Sequence, residues 1–363
     1  MSEPATDQGI GRRRASGSDG GRPRVTIFGP DPLLSVTLER RSERDDVHLH
    51  PAGQGVWVAR MAAELGADPI LCGLAGGETG EVLRALLARM AGERRLIETH
   101  GSSGSYVIDR RDGERRVLAN ANRPAPLRHE IDDLVAATCA AALGSAAVVI
   151  CNPFPPEDLP GEVYASVAAN AGAAGVPVVV DLSHPRLEHT LAHRPRVVKL
   201  NDWELAEYVC GPVDGPRALA AIRRLREAGA QAVALTRAGA PILVSDGDED
   251  PYEVVPPAFA RGHHEGCGDA MTGALAAGLA AGLDLCDAIV LGAAAGSCNF
   301  LRHGLGTGTR AVVEELRSWV TVRPVYAAVG EPAGPTPAAA SAVTRRPQVA
   351  PLHAAQTSRR TAG

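Results

Sequence analysis

Aromatic residues make up only 3% of this 363-residue chain. So few rings leave little material for the stacking platforms that hold single-stranded nucleic acid. A basic footprint is missing too: 37 Lys and Arg stand against 42 Asp and Glu, a formal net charge of -5, so nucleic acid is not an expected partner. Cysteine pairs at metal-binding spacing are absent. Cys72, Cys139, Cys151, Cys210, Cys267, Cys286 and Cys298 are scattered. They read as small apolar residues in a reducing compartment, not as a disulfide framework or a zinc site. No uncharged apolar run reaches membrane-spanning length, and the arginine-bearing N-terminus has no apolar core of a signal peptide. These absences predict a cytoplasmic protein with neither a membrane nor a nucleic acid as partner.

With 45% hydrophobic residues, the chain can bury a substantial core. Residues 1–22 are Gly, Ser, Arg and acidic residues without periodicity, and residues 324–363 are dominated by Pro, Ala, Thr and Arg. Both compositions predict disordered ends, a leader and a tail. The folded unit is then 23–323.

Within that unit, short apolar runs alternate with helical spacings. Val25–Phe28, Pro69–Cys72, Ala147–Cys151, Val178–Asp181, Val197–Lys199 and Ala232–Thr236 read as strands. Helices are expected from Gly53 to Leu65, over Gly80–Met90 with Thr79 as cap, near Glu130–Leu143, from Asn201 or Asp202, over Pro216–Ala228, and over 269–282 and 284–301. Ile242–Ser245 pairs with Ala232–Thr236 or with Tyr252–Val255. Such alternation predicts βαβ units on a mostly parallel sheet. Ligands of such sheets sit at the carboxyl ends of the strands, and Asp181, Asn201, Thr236 and Asp269 all fall on that edge. Asp112-Gly113 marks a hairpin between Ser105–Arg110 and Glu114–Leu118. With a short strand at Leu33–Leu38 it makes a flap over the site, spanning roughly 33–50 and 101–120.

The chain is organised around E-G-C-G-D-A-M-T-G, Glu265 to Gly273. Gly266 and Gly268 allow a tight turn and close backbone approach to a ligand. Asp269 stands where loop becomes helix, beside the unpaired N–H groups and partial positive charge of a first helical turn. A carboxylate there can take a proton from a hydroxyl while the N–H groups hold a phosphoryl group. The plainer reading makes Asp269 an ordinary cap. Cys267 serves as a small residue that fits the turn.

Further motifs stand in order along the chain. A-G-Q-G-V-W-V-A (Ala52–Ala59) and G-L-A-G-G-E-T-G (Gly73–Gly80) come first, then V-V-V-D (Val178–Asp181) and K-L-N-D-W-E-L (Lys199–Leu205), and last G-C-G-D-A-M (Gly266–Met271). Together they resemble the ribokinase-type, or PfkB, carbohydrate kinase family and, within it, the 1-phosphofructokinase-like branch. The resemblance implies a ribokinase-like three-layer α/β/α sandwich with a mostly parallel central sheet and a small β lid. It implies ATP and Mg²⁺ as cofactors and transfer of the terminal phosphoryl group of ATP to an alcohol of a sugar or polyol. Asp269 would be the base and the amides of Gly266, Cys267 and Gly268 the anion hole. Asn201 and Glu204 would hold the Mg²⁺ region through water, although they also read as a helix cap and its capping partner. Thr236, Ala238 and Gly239 match the nucleotide loop, and Asn299 would lie near the adenine. Asp31, Gly53, Gln54, Gly55 and Trp57 would face the acceptor. Members of the family often dimerise through the lid.

The chain also departs from the family pattern. Gln54 and Trp57 replace a lysine and an asparagine, Leu33 or Ser35 replaces an early aspartate with Asp31 out of register, and Gly101–Ser105 has no lid arginine. Ala238 and Pro241 stand where glycines are expected. A phosphate is best gripped by a bidentate cation, so these changes suggest an unphosphorylated sugar, nucleoside or polyol as acceptor. A phosphosugar held by Arg110, Arg111, Arg115 and Arg116 is the alternative. A catalytically impaired relative that binds or regulates is the competing class. A dinucleotide-binding Rossmann enzyme is a poor match, since Gly29-Pro30 ends the first strand where G-x-G-x-x-G would be needed.

Overall fold

The computed structural model describes residues 21–153, 159–238 and 240–325. The expected leader and tail lie almost wholly outside the described residues, as does Gly239. In chain order the first half holds β1 (Arg24–Phe28), β2 (Leu33–Arg41), β3 (Arg44–Ala52), α1 (Gln54–Glu64), β4 (Asp68–Ala75), α2 (Gly77–Leu87), β5 (Glu93–Glu98), β6 (Ser105–Asp109), β7 (Arg116–Ala121) and α3 (Arg128–Ala142). Then come β8 (Ala147–Cys151), α4 (Gly161–Ala173), β9 (Val178–Asp181), α5 (Arg186–Leu191), β10 (Val197–Asn201), α6 (Asp202–Val209), α7 (Gly215–Glu227), β11 (Ala232–Arg237), β12 (Ala240–Asp246) and β13 (Tyr252–Val255). The chain closes with α8 (Cys267–Ala280), α9 (Leu285–Phe300), α10 (Arg310–Arg317) and β14 (Thr321–Pro324).

Strands such as AVVIC (β8) and VVVD (β9) are short β-branched runs buried on both faces, as central strands of a parallel sheet must be. They belong to a ten-stranded sheet in the order β14-β13-β12-β11-β10-β9-β8-β1-β4-β5. Pairing is parallel from β11 to β5 and antiparallel from β11 to β14. Residues alternate between two cores. Val178, Val180, Val198 and Leu200 pack with Leu134, Tyr164, Leu187, Leu205 and Leu225 of α3 to α7. Val179 and Val197 face Val56, Met271, Leu275 and Ile289 of α1, α8 and α9. The result is helix, sheet, helix.

A second sheet, ordered β3-β2-β6-β7, forms the lid. Two antiparallel hairpins are joined by parallel pairing of β2 with β6. One face carries Ser35, Thr37, Tyr106 and Ile108; the other carries Val36, Leu38, Val47, Leu49 and Val107, as the register requires.

Several local expectations shift. Ile242–Ser245 pairs with both of its candidates, since β12 lies between β11 and β13. Thr79 does not cap α2: that helix starts at Gly77 after Gly76, and the Thr79 hydroxyl donates to the Ser103 carbonyl at 2.7 Å. Pro324, expected to open the tail, ends β14, and the Val325 N–H bonds to the Pro251 carbonyl at 3.1 Å.

Candidate active site

Gly266 caps α8 with φ of 77°, a left-handed conformation that favours glycine. Its carbonyl accepts the first helical bond, from Ala270 N–H at 2.9 Å. The helix therefore begins two residues earlier than the spacing suggested, at Cys267, and Asp269 lies within its first turn. N–H groups at that position have no partner inside the helix. The Cys267 N–H turns to the His264 carbonyl at 3.4 Å, so Gly268 and Asp269 offer the better-placed donors for an anion.

Asp269 is half-buried. Burial pushes its carboxyl up to about 7, with the nearby negative Asp181 and Glu204 adding to the rise, while Lys199 and a hydrogen bond from Gln54 oppose it. Gln54 opens α1 and links two elements: its Oε1 accepts from Asn152 N–H at 2.6 Å, which leaves its amide NH₂ for Asp269. Asn152 in turn accepts from the Ser183 N–H at 3.1 Å. Gln54, expected beside the acceptor, touches the candidate base. Gly53 and Gly55 lie against the Asp31 carbonyl and Gly29, where a β-carbon would come within 2.6 Å of backbone atoms. They let the start of α1 approach the loop after β1.

Asn201 and Glu204 form a reciprocal cap at the start of α6. Asn201 Oδ1 accepts from Glu204 N–H at 2.9 Å, and Glu204 Oε2 accepts from Asn201 N–H at 2.8 Å. Burial raises the Glu204 carboxyl despite Lys199. The neighbouring strand places Thr236 beside Asn201, with the Thr236 hydroxyl donating to the Leu200 carbonyl at 3.3 Å. Ala238 is exposed in the turn that follows.

Two of the expected ligand residues also have protein partners. Asn299, expected near the adenine, is fully buried. Its Nδ2 donates to the Glu265 carbonyl at 2.9 Å and its Oδ1 accepts from Thr307 N–H at 3.1 Å. It braces the loop into α8 against the loop after α9, with both ends of its amide engaged. Asp31 was expected against the acceptor; Arg123 Nε meets its Oδ1 at 2.6 Å and both side chains are 2% exposed. The carboxylate belongs to a buried ion pair at the foot of the lid.

Trp57 packs against Leu33, Ala52, Tyr106 and Ile108 beneath the lid. A cavity of about 250 Å³ opens there, lined by Trp57, Tyr106, Arg60, Arg110, Arg115 and His303 among others. It reaches Glu265 in the loop that leads into α8. Arg115 pairs with Glu265 at 3.2 Å, and Arg60 Nη1 donates to the Leu305 carbonyl at 2.9 Å.

The family model for "pfkB family carbohydrate kinase" matches residues 32–311, more than half of the chain. The chain belongs to the PfkB family of carbohydrate kinases. It moves a phosphoryl group from ATP to a sugar. The 1-phosphofructokinase of Rhodobacter capsulatus is 30% identical over 257 residues, covering 66% of this chain and 76% of that protein. ATP-dependent 6-phosphofructokinase isozyme 2 of Mycobacterium tuberculosis is 27% identical over 307 residues, 82% of this chain and 89% of the relative. The tetrameric inhibited form of phosphofructokinase-2 from Escherichia coli superposes with a TM-score of 0.71 at 24% identity, covering 82% of this chain and 99% of that one.

For this PfkB kinase, the motifs that announce the family also bring two further residues to the site. Asp181 and Lys199 lie beneath α8 and both act electrostatically on Asp269. Their signal was their place at or near the carboxyl ends of apolar strands. Arg60, one helical turn beyond Trp57, gave none. Among the described residues, no group of three or more His, Cys, Asp and Glu side chains is arranged to hold a metal ion, and no helix is long and apolar enough to cross a membrane.

Proposed function

We propose that this kinase carries out phosphoryl transfer at the N-terminus of α8. Asp269 accepts the proton of the attacking hydroxyl, and the first-turn amides, those of Gly268 and Asp269 before those of Gly266 and Cys267, hold the transferring group. The observation that supports this most is a carboxyl raised to about 7 within a helical first turn. A base near neutrality combines the correct protonation state with useful basicity. Little else is asked of the protein, because phosphoryl transfer depends on positioning and charge stabilisation. Gln54 fixes the carboxylate and keeps its free oxygen toward the acceptor.

ATP lies along the edge formed by Asn201, Thr236 and the turn at Ala238. With Asn201 and Glu204 already bonded to each other's N–H groups, the donors suit a hydrated Mg²⁺ reached through water, the usual preference of that ion. When bound, Mg²⁺ neutralises charge on the phosphates.

The acceptor occupies the space between Asp269 and the lid cavity, with Trp57 as its wall. Three arginines, Arg60, Arg110 and Arg115, against two carboxylates, Glu39 and Glu265, in the lining of that cavity favour an acidic sugar. This runs against the expectation drawn from the missing arginine at Gly101–Ser105, because cations enter from the β6–β7 connection and α1 instead. The exposed apolar lid face, where Val47 and Leu49 are 58% and 46% exposed, fits a second copy of the chain as homodimer partner. The seven described cysteines are all free, in keeping with action in the cytoplasm, which cell fractionation checks.

The deciding experiment measures ATP consumption with Mg²⁺ over a panel of sugars, phosphosugars and nucleosides, with wild type and Asp269→Asn side by side. Loss of a general base lowers turnover by about 10²- to 10⁴-fold. An acceptor turned over equally well by both proteins would overturn the role of Asp269. Stimulation by neutral sugars alone would overturn the acidic acceptor.

A further inference from the structure

The lid cavity is lined by carboxylates as well as cations, and one carboxylate already holds one of the cations. Glu265, in the loop leading into α8, meets Arg115 of the β6–β7 connection by a single approach, Nε to Oε2 at 3.2 Å. Charge-assisted hydrogen bonds usually close to about 2.7–2.9 Å, so this contact is loose. Among the described residues Arg115 has no other ion-pair partner. Its Nη edge, able to grip an oxyanion at two points, is left for something else. The second carboxylate of the cavity, Glu39, turns away toward His48 at 3.8 Å.

Glu265 is fixed at its backbone and loose at its head. Its carbonyl accepts from Asn299 Nδ2 at 2.9 Å, whereas Arg115 is the only ion-pair partner of its carboxylate among the described residues. The Arg115 and Glu265 side chains are 31% and 48% exposed. Ion pairs this open to water contribute little to stability, so the pair is a poor latch for the lid. A contact that costs little to break, inside a cavity, is suited to exchange. The group that could take its place is an anion offering two oxygens to the guanidinium. A small free anion would gain that contact alone. An acidic sugar would add packing against Trp57 and Tyr106, which share the same lining.

We propose that Glu265 is a specificity-determining residue: its carboxylate is a built-in counter-ion that Arg115 gives up when the acidic group of the acceptor enters the lid cavity. Every anion must then displace Glu265, so small anions with nothing further to gain are held off. A neutral sugar leaves the pair intact and draws nothing from Arg115. Selection of this kind works by charging the wrong ligand a cost, not by adding contacts for the right one. The inference rests on the reading that the cavity takes an acidic acceptor and is independent of the role of Asp269.

The test is a double-mutant cycle on anion affinity, with wild type, Glu265→Gln, Arg115→Ala and the double variant. Inorganic phosphate and fructose 1-phosphate are titrated into each protein by calorimetry, with Mg²⁺ and a non-hydrolysable ATP analogue present to occupy the α8 turn. Thermal melts run alongside. Glu265→Gln should tighten both anions about three- to fivefold, the size of an exposed ion pair that need no longer be broken. Arg115→Ala should weaken fructose 1-phosphate about tenfold, and adding Glu265→Gln should then bring no gain. A merely structural pair would behave otherwise, with Glu265→Gln lowering the melting temperature and loosening both anions. Unchanged or weaker affinity in Glu265→Gln overturns the inference. So does an equal gain without Arg115, which would be simple loss of negative charge. Either result leaves the acidic acceptor standing where fructose 1-phosphate still binds. Failure of both anions to bind any of the four proteins overturns the acidic acceptor and this inference together.

Discussion

At the α8 end of the candidate site the groups that line it are backbone amides and buried charges, whereas at the lid end they are long side chains on an open sheet. Asp269, Gln54, Asp181 and Lys199 are each held by partners from a different element. Arg110 and Arg115 project from lid strands or their connection, into a cavity that has one wall in the lid and the other in Trp57 and the 303–307 loop. The first arrangement fixes a geometry; the second sets what may enter it. Chemistry and selectivity are therefore separable by substitution here.

The largest expected effect falls on the α8 end. If ionised Asp269 is the base, kcat/KM with the best acceptor should fall about tenfold for each pH unit below about 7, reaching roughly a hundredfold at pH 5. The sign follows from the direction of the shift: a carboxyl raised by burial is still protonated where an ordinary aspartate is charged. A profile flat from pH 5 to 8 would break the contrast at its firmer end. Next comes the lid. Arg110→Ala should raise the KM for an acidic acceptor about tenfold, the equivalent of one charge-assisted hydrogen bond, with kcat little changed. A fall in kcat of similar size would show that the two ends are not separable. The smallest effect on turnover is expected from Leu49→Glu on the outer lid face. Sedimentation should show a smaller assembly, and unaltered mass would remove this face as an interface.

Much of the fold is legible because its signals are local. The apolar β8 and β9 and the helical spacings of α8 and α9 declare themselves within a few residues. The G-C-G-D turn is legible for the same reason: its geometry is written in adjacent glycines. The polar β3, RDDVHLHPA, hides because its charged residues face solvent, and β5, ERRLIE, reads as a charged surface. Both acquire strand identity from pairing partners far along the chain. The partners of Asp31 and Asn299 stayed hidden for the same reason. Each polar residue was assigned to a ligand, and each turned out to have a protein partner that no local pattern names: Arg123 for one, the 265 and 307 backbone for the other. Asp181 and Lys199 show the converse. Their positions on the strands were plain, but their coupling to each other and to Thr272 exists only once β9, β10 and α8 have met.

The parallel pairing of β2 with β6 has a consequence for how this molecule comes together. The two lid hairpins are separated in sequence by α1, β4, α2 and β5, so neither can find the other until that stretch has folded onto the main sheet. Contacts of such long sequence separation are slow to form. Small sheets exposed to solvent on one face also open at low free energy. The lid cavity proposed for the acceptor should thus be the last part of the molecule to take shape and the first to dissolve. Under mild denaturant the nucleotide edge should outlast it, and a chain stalled on its folding path would hold ATP before it could recognise a sugar.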